Sequence, residues 1–280
     1  TLSSVPMFLL MGSFCYHAGL TDGLCRLARL WLSWLPGGLS VASIGGSSMF
    51  AAVTGSSLAC TAAMGRIAVP EMLKAGYDKG LATGTIAAAG TIGSMIPPSI
   101  LLIIYGIFVE QPISQLFLAA FIPGLLTAFM YALMVVVRAR LHPGLAPDVA
   151  DRVTLAERVW AFRDTWPVVL LILGVFGGLF GGAFTPTEAG AVLAFLIALV
   201  KRTLTREVFL SAVGETLRST AAIFVIAIGA QLLTRFFALS GVTEILADFV
   251  GGQGYSQLQV ILLVSVALVL LGMLLDPIGI

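Results

Sequence analysis

A run of small hydroxylated residues interrupts an apolar segment and could hold a small cation. The segment 45–66 reads GGSSMFAAVTGSSLACTAAMGR, and its middle is broken by Thr54, Gly55, Ser56 and Ser57. Hydroxyl groups, together with the backbone carbonyls that a helix break releases, are hard oxygen ligands of the kind that small cations prefer. Close packing of helices explains the small residues in the two arms. The break itself indicates a site, because buried irregular backbone is costly at membrane depth.

A second interrupted segment, GTIGSMIPPSILLIIYG at 90–106, could supply a facing wall of the same site. Its two adjacent prolines remove backbone donors and clash with the preceding turn, so a span over 81–109 should be broken near its middle. The break would free further carbonyl groups, although a simple proline kink explains this motif equally well when it is taken alone. The residues of the break are Gly93, Ser94, Pro97, Pro98 and Ser99.

Other polar residues carry weaker signals. Asp276 lies at the inner end of an apolar arm, where an ionisable residue is a functional hypothesis by default. Alternatively, Asp276 lies at the membrane interface and only looks buried because the chain is truncated after it.

Thr185 and Glu188 in FTPTEAG (184–190) have capping-box spacing, which favours a structural turn. We interpret His17 as a lone interfacial histidine, and no nucleophile–base pair, metal triad or phosphate loop favours an enzyme.

The composition predicts a polytopic membrane protein. The chain has 280 residues, 59% of them hydrophobic and 10% charged, with a mean hydropathy of +1.04. These values exclude an ordinary soluble domain. The net charge of +1 gives no reason to expect nucleic acid, and the three cysteines lack the spacing of a disulfide framework or a zinc site. Both ends fall within apolar runs, so we expect a piece of a longer protein.

Length and charge favour a segment that enters the membrane and returns on the same side. As a helix, the arm 39–53 would rise about 22 Å, which is short of a hydrocarbon core of roughly 30 Å. Arg26 and Arg29 precede the segment and Arg66 follows it, which places both flanks in the cytoplasm. All but one of the fifteen lysines and arginines then fall on the cytoplasmic side. The pattern therefore predicts a re-entrant hairpin over 39–65.

The elements around the hairpin suggest an inverted repeat. Residues 19–22 (GLTD) resemble residues 241–244 (GVTE), and the same offset sets the break at Thr54 against Asp276. Inverted repeats with broken helices are typical of secondary transporters, although apolar segments can also resemble each other by chance.

The sequence divides into four predicted regions. They are a first repeat (1–137, with the hairpin, a broken helix at 81–109 and a span at 113–137), a cytoplasmic loop with an interfacial helix (138–165), connecting spans with a cytoplasmic elbow (166–218), and the start of a second repeat cut at its second hairpin (219–280).

Four motifs in order resemble the large membrane subunit of tripartite ATP-independent periplasmic (TRAP) transporters, the DctM-like family. They are AAVTGSSLACTAAMG, VPEMLKAGYDKGLATGTIAAAGTIGSMIPPSILLIIYG, FTPTEAG and LLDPIG, and they extend over essentially the whole chain. The resemblance implies an all-α, multi-pass carrier of the elevator type in the bacterial inner membrane. It implies coupling to Na⁺, with no other cofactor, and import of carboxylates such as C4-dicarboxylates or sugar acids. The implied partners are a small membrane subunit and a periplasmic substrate-binding protein.

The resemblance also implies where the ligands bind. The cation site would be framed by Ser47, Ser48, Thr54, Gly55, Ser56, Ser57, Gly93, Pro97 and Asp276. The substrate site would be framed by Ser56, Ser94, Pro98 and Ser99. We expect the opening helices and most of the second hairpin to lie outside this chain, which leaves any site built from both repeats incomplete. The alternatives are a carboxylate carrier that needs no binding protein, and a membrane scaffold subunit that transports nothing.

Overall fold

The computed structural model describes residues 4–17, 22–147, 155–180, 195–196, 198–199, 203–252 and 254–273. Every regular element in these ranges is helical, so the all-α prediction is confirmed for the described residues. The chain divides into two compact units, Thr1–Thr216 and Leu217–Ile280. The FTPTEAG motif and Asp276 lie outside the described residues. The elevator-type arrangement and the inverted repeat stay predictions.

The described helices range from 9 residues in α6 to 34 residues in α9. Their bounds are α1 Ser4–His17, α2 Asp22–Leu32, α3 Gly38–Thr54, α4 Ser57–Lys74, α5 Lys79–Thr91, α6 Ile100–Phe108, α7 Ile113–Leu141, α8 Leu155–Phe180, α9 Arg206–Leu239, α10 Val242–Gly252 and α11 Gln257–Gly272. Among the described residues, α7 and α9 are long and apolar enough to cross a membrane, with mean hydropathies of 2.2 and 2.0. The helix α3 is apolar but shorter, with 17 residues.

The chain reverses direction between α3 and α4. In the first turn of α3, the Ser40 hydroxyl donates to the Met72 sulfur, near the end of α4, at 3.2 Å. Near the start of α4, the Cys60 thiol donates to the Ser47 carbonyl at 3.5 Å. An early residue of α3 thus meets a late residue of α4, whereas an early residue of α4 meets the middle of α3, so the two arms are antiparallel. This is the hairpin expected over 39–65, whereas its entry into a membrane stays a prediction.

The second arm of the hairpin is longer than predicted. The sequence suggests an arm ending near residue 65 and a polar stretch from 66 to 79, but α4 continues as a helix to Lys74. Ala68 and Met72, four residues apart, are buried and extend the apolar face of α4 beyond the predicted end. Packing of this face therefore holds the polar stretch in the helix, even though Pro70 lies inside it.

The predicted interfacial helix is not a separate element. We expected a short helix within the loop 138–165 and a new span from 166, but α8 is one helix of 26 residues. Ala161, Thr165 and Leu171 are all buried, and their spacing keeps one face of α8 covered across the predicted boundary. The sequence also gives Thr154 and Glu157 capping-box spacing at the start of this helix, but Thr154 lies outside the described residues.

The first helix contacts both the hairpin and α9. A Cβ atom on Gly12 would lie 3.1 Å from the Cα and carbonyl oxygen of Thr54, so α1 passes directly against the end of α3. The Ser13 hydroxyl donates to Glu215 Oε2 at 3.0 Å, and His17 Nε2 lies 2.9 Å from the same oxygen. The interpretation of His17 as a lone histidine was therefore wrong. The sequence does not reveal the contact, because Glu215 lies far from His17 along the chain.

The second unit contains the rest of α9, followed by α10 and α11. The turn before α10 is made by Gly241, whose φ of +73° is accessible mainly to glycine. A capping box opens α11, in which the Ser256 hydroxyl accepts from the Gln259 N–H and the Gln259 side chain accepts from the Ser256 N–H. Local sequence thus defines both helix starts.

Candidate functional site

The tip of the hairpin is formed by Gly55 and Ser56. Gly55 has a φ of +62°, and its N–H donates to the Ala51 carbonyl at 2.8 Å, which ends α3 with a left-handed cap. Ser56 has an extended backbone, and its hydroxyl accepts from the Ala59 N–H at 3.3 Å, which caps the start of α4. The break therefore lies within the interruption that the sequence predicts at Thr54–Ser57.

The second break separates α5 from α6. A 3₁₀ turn, Ile92–Ser94, follows α5, and the Pro97–Pro98 peptide bond is cis. The fully buried Ser99 donates its hydroxyl hydrogen to the Ser94 carbonyl at 2.7 Å and accepts from the Leu102 N–H at 3.4 Å. Ser99 thus holds the two sides of the break together and caps α6. The predicted interruption of 81–109 is present in the structure.

The two breaks lie against each other. The Ile100 N–H donates to the Gly55 carbonyl at 3.1 Å. A Cβ atom on Gly55 would collide with the Pro98 carbonyl oxygen, and one on Gly93 would lie 2.9 Å from the Ser56 carbonyl oxygen. Glycine is needed at both positions for this backbone-to-backbone approach. The structure therefore brings together the hairpin tip and the residues predicted to form its facing wall.

Two residues predicted to bind the cation lie away from the tip. Ser47 and Ser48 are about two helical turns, or roughly 10 Å along the axis of α3, before Thr54. The Ser48 hydroxyl donates to the Ile44 carbonyl at 2.8 Å. The Ser47 hydroxyl is buried and has no hydrogen-bond partner among the described residues. These serines are therefore not part of the tip, and Asp276 lies outside the described residues.

The described part of the site offers neutral oxygen atoms. The Thr54 hydroxyl donates to the Phe50 carbonyl at 3.1 Å, and the Ser94 hydroxyl donates to the Thr91 carbonyl at 2.7 Å. A hydroxyl that donates its hydrogen still has oxygen lone pairs that can bind a cation. Within the described ranges there is no group of three or more His, Cys, Asp or Glu residues that could hold a metal ion.

Sequence reasoning missed several residues that shape the site. A Cβ atom on Gly90 would collide with the Thr61 hydroxyl, and one on Gly124 would lie 3.1 Å from the Ile96 side chain. Together with Gly12, these glycines let α1, α5 and α7 pack closely around the hairpin and the broken helix. The only available signal is a small residue inside an apolar helix, which predicts close packing but does not identify the partner.

The described residues thus form apolar helices in which two helix breaks meet, and helix breaks of this kind are typical of secondary transporters. The family model described as "Tripartite ATP-independent periplasmic transporter, DctM component" matches residues 1–280. The chain therefore belongs to the DctM family of TRAP transporter permeases, as its motifs predict. This family is a component of transporter permeases and not a family of enzymes.

Several curated relatives are similar to almost the whole chain. The "C4-dicarboxylate TRAP transporter large permease protein DctM" of Pseudomonas aeruginosa is 33% identical over 99% of the chain and 65% of its own length. The "Sialic acid TRAP transporter large permease protein SiaM" of Vibrio cholerae is 30% identical over 100% and 66%. The "Isethionate TRAP transporter permease protein DctMQ" of Oleidesulfovibrio alaskensis is 31% identical over 99% and 44%. The chain spans about two thirds or less of the length of these relatives.

Proposed function

We propose that the chain forms part of a Na⁺-coupled permease that imports an organic carboxylate across the bacterial inner membrane. The observation that carries this proposal is the contact between the two helix breaks, marked by the hydrogen bond from Ile100 to Gly55. Irregular backbone at membrane depth is tolerated where it is buried in protein or lines a cavity, and paired breaks of this kind form ion and substrate sites in secondary transporters.

The direction of the helices at the contact supports binding of an anion together with a cation. Ser56 and Ser99 cap the N-termini of α4 and α6, which meet at the contact and carry partial positive charge. A carboxylate is favoured at such ends. The α3 helix finishes at the same place with Thr54, where free carbonyls carry partial negative charge suited to Na⁺. One junction therefore presents complementary ends to both ligands.

Coupling to Na⁺ answers an energetic requirement of anion import. A membrane potential that is negative inside opposes the entry of an anion by about 2.3 kcal/mol per charge per 100 mV. Two or more Na⁺ ions bound with the substrate would cancel or reverse this opposition for a mono- or dicarboxylate. The substrates named for the relatives, C4-dicarboxylate, sialic acid and isethionate, are all organic anions. Their variety leaves the carboxylate itself to be identified by experiment.

The proposed partners follow from membership of the family. We propose that a small membrane subunit supports the permease and that a periplasmic protein delivers the substrate. The isethionate relative carries the combined name DctMQ and is much longer than this chain, which agrees with a permease whose subunits can be fused. Asp276 stays a predicted ligand of the cation, and Asp276→Asn is expected to lower uptake without preventing membrane insertion.

Reconstitution of the full-length permease with its small subunit in proteoliposomes tests the proposal. With the binding protein and a labelled dicarboxylate or sialic acid outside, an inward Na⁺ gradient should drive uptake that an equal K⁺ gradient does not. An equal rate of uptake with and without the Na⁺ gradient would show that transport is not coupled to Na⁺. Uptake without the binding protein would favour an independent carrier. A protein that shows neither uptake nor any thermal shift with Na⁺ or substrate would favour a scaffold subunit.

A further inference from the structure

The turn between α6 and α7 departs from the usual way in which a helix ends. The α6 helix finishes in a Schellman motif, in which the Gln111 N–H donates to the Gly106 carbonyl at 2.9 Å. The residue in the left-handed position of this motif is Glu110, with a φ of +54°. Glycine usually fills that position, because a Cβ atom is strained there. Within the ranges that the structure describes, Glu110 is the one non-glycine residue with a positive φ.

The charge of Glu110 is also unfavourable where it lies. The free carbonyl groups at the C-terminus of a helix carry partial negative charge, which disfavours a carboxylate. The Glu110 side chain is exposed, and it makes no hydrogen bond or ion pair with any other described residue. Its neighbours on both sides, Val109 and Gln111, are exposed as well. Local costs that no contact offsets are typical of functional positions.

The length of α7 predicts that this turn faces the periplasm. The turn directly precedes α7, whose other end carries Arg138 and Arg140. With 29 residues, α7 rises about 43 Å, which exceeds a hydrocarbon core of roughly 30 Å. Because basic residues collect on the cytoplasmic side of a membrane protein, the end of α7 that carries the arginines is expected in the cytoplasm and Glu110 on the opposite side.

Glu110 is too far from the helix breaks to bind a ligand there. The α6 helix begins after Ser99 and has nine residues, so about 13 Å of helix separates the second break from the turn. A carboxylate would also repel an anionic substrate. It would instead attract a basic side chain of another protein, and all but one of this chain's own lysines and arginines are predicted on the other side of the membrane.

We propose that the Glu110 carboxylate forms an ion pair with a basic side chain of the periplasmic substrate-binding protein when that protein docks on the permease. The inference rests on the proposed function, because it assigns a contact residue to a partner named there. The strained backbone holds the carboxylate on an exposed turn, and the α6 helix connects this turn to Ser99 at the second break. Docking at Glu110 would therefore occur at one end of a helix whose other end borders the candidate site.

Direct binding of the two proteins tests the proposal without requiring transport. The full-length permease with its small subunit is immobilised in nanodiscs, and the binding protein is titrated over it by surface plasmon resonance. Glu110→Gln should weaken binding about two- to fivefold, which is the range expected for loss of an exposed ion pair. Binding to the variant should also depend less on salt. Glu110→Asp should keep most of the affinity because it keeps the charge.

Two further variants separate the charge from the backbone and from a general effect of acidic residues. Glu110→Gly should weaken binding as much as Glu110→Gln, yet it should keep or raise the unfolding midpoint of the permease, because glycine relieves the left-handed strain. Glu207→Gln is the matched control, since Glu207 is an exposed acid in the first turn of α9, which we predict in the cytoplasm. It should bind the partner with unchanged affinity.

The possible outcomes separate this inference from the proposed function. Wild-type affinity in both Glu110→Gln and Glu110→Gly would overturn the inference. So would a loss of the small subunit from these variants, or a fall in their unfolding midpoints without the binding protein, because the carboxylate would then act within the membrane complex. If uptake proves independent of Na⁺ while docking still depends on Glu110, the coupling is rejected and the docking contact stands.

Discussion

The backbone N–H of Ile100 donates to the carbonyl oxygen of Gly55 at 3.1 Å, which joins two helix breaks that are distant in the sequence. Each group would otherwise be an unsatisfied polar atom at the end of a helix. The bond therefore fixes the hairpin tip to the broken helix, and the two should move together in any conformational change. Residues that permit this approach are the most direct targets for mutation.

Gly55→Ala should destabilise the protein and abolish uptake. The new Cβ atom would meet the Pro98 carbonyl oxygen, and alanine is strained at a φ of +62°. Gly241→Ala is a matched control, because Gly241 has a φ of +73° and open space around its Cβ position. Gly55→Ala should cost about 1–3 kcal/mol more than the control, which is typical of overpacking. Equal losses of unfolding free energy would show that Pro98 does not constrain residue 55.

Gly93→Ala should also be disruptive, for a reason that is independent of φ. Its Cβ atom would lie 2.9 Å from the Ser56 carbonyl oxygen, and backbone atoms cannot easily move away. Gly84→Ala on α5 has open space and should be neutral or stabilising by up to about 1 kcal/mol. Thermal unfolding of the full-length protein in detergent compares the two variants. A stable Gly93→Ala protein with normal uptake would contradict the contact between the tip and the broken helix.

Sequence reasoning located the breaks because their signals are local. Gly55 and the Pro97–Pro98 pair disfavour a continuous helix whatever surrounds them. The lengths of α4 and α8 depend on tertiary burial of residues such as Met72 and Thr165, which no local pattern reveals. The same holds for Gly12 against Thr54, a contact between segments that are far apart in the chain. The sequence therefore predicts where a helix must break more reliably than how far a helix extends or which residues meet.

Ser56→Ala separates a capping role from a role in cation binding. Loss of the cap should cost about 1 kcal/mol, and Ser256→Ala at the start of α11 should cost a similar amount. Only Ser56→Ala should also reduce Na⁺-dependent uptake and the stabilisation that Na⁺ gives. Matching responses of the two variants to Na⁺ would leave Ser56 with the capping role alone.

The ion pair between Arg29 and Glu71 should contribute little to stability. It joins α2 to the second hairpin arm at 3.5 Å, but the two side chains are 38% and 52% exposed. Exposed pairs are screened by water and typically contribute about 0.2–1 kcal/mol. A double-mutant cycle with Arg29→Gln and Glu71→Gln should give a coupling energy below about 1 kcal/mol that falls as salt is added. A larger, salt-independent coupling would mean that the pair is covered by a partner.

Ser47→Ala should stabilise the protein when Na⁺ is absent. The Ser47 hydroxyl is buried and has no hydrogen-bond partner in the part of the chain that the structure describes, and a buried unpaired hydroxyl costs about 1–3 kcal/mol. Ser43→Ala, one turn earlier on the same helix, is the control, because the Ser43 hydroxyl donates to the Leu39 carbonyl at 2.7 Å and its removal should be destabilising. The unfolding midpoints should therefore move in opposite directions. A stabilisation by Na⁺ that persists in Ser47→Ala would remove Ser47 from the cation ligands, whereas its loss would place a cation about two turns below the tip.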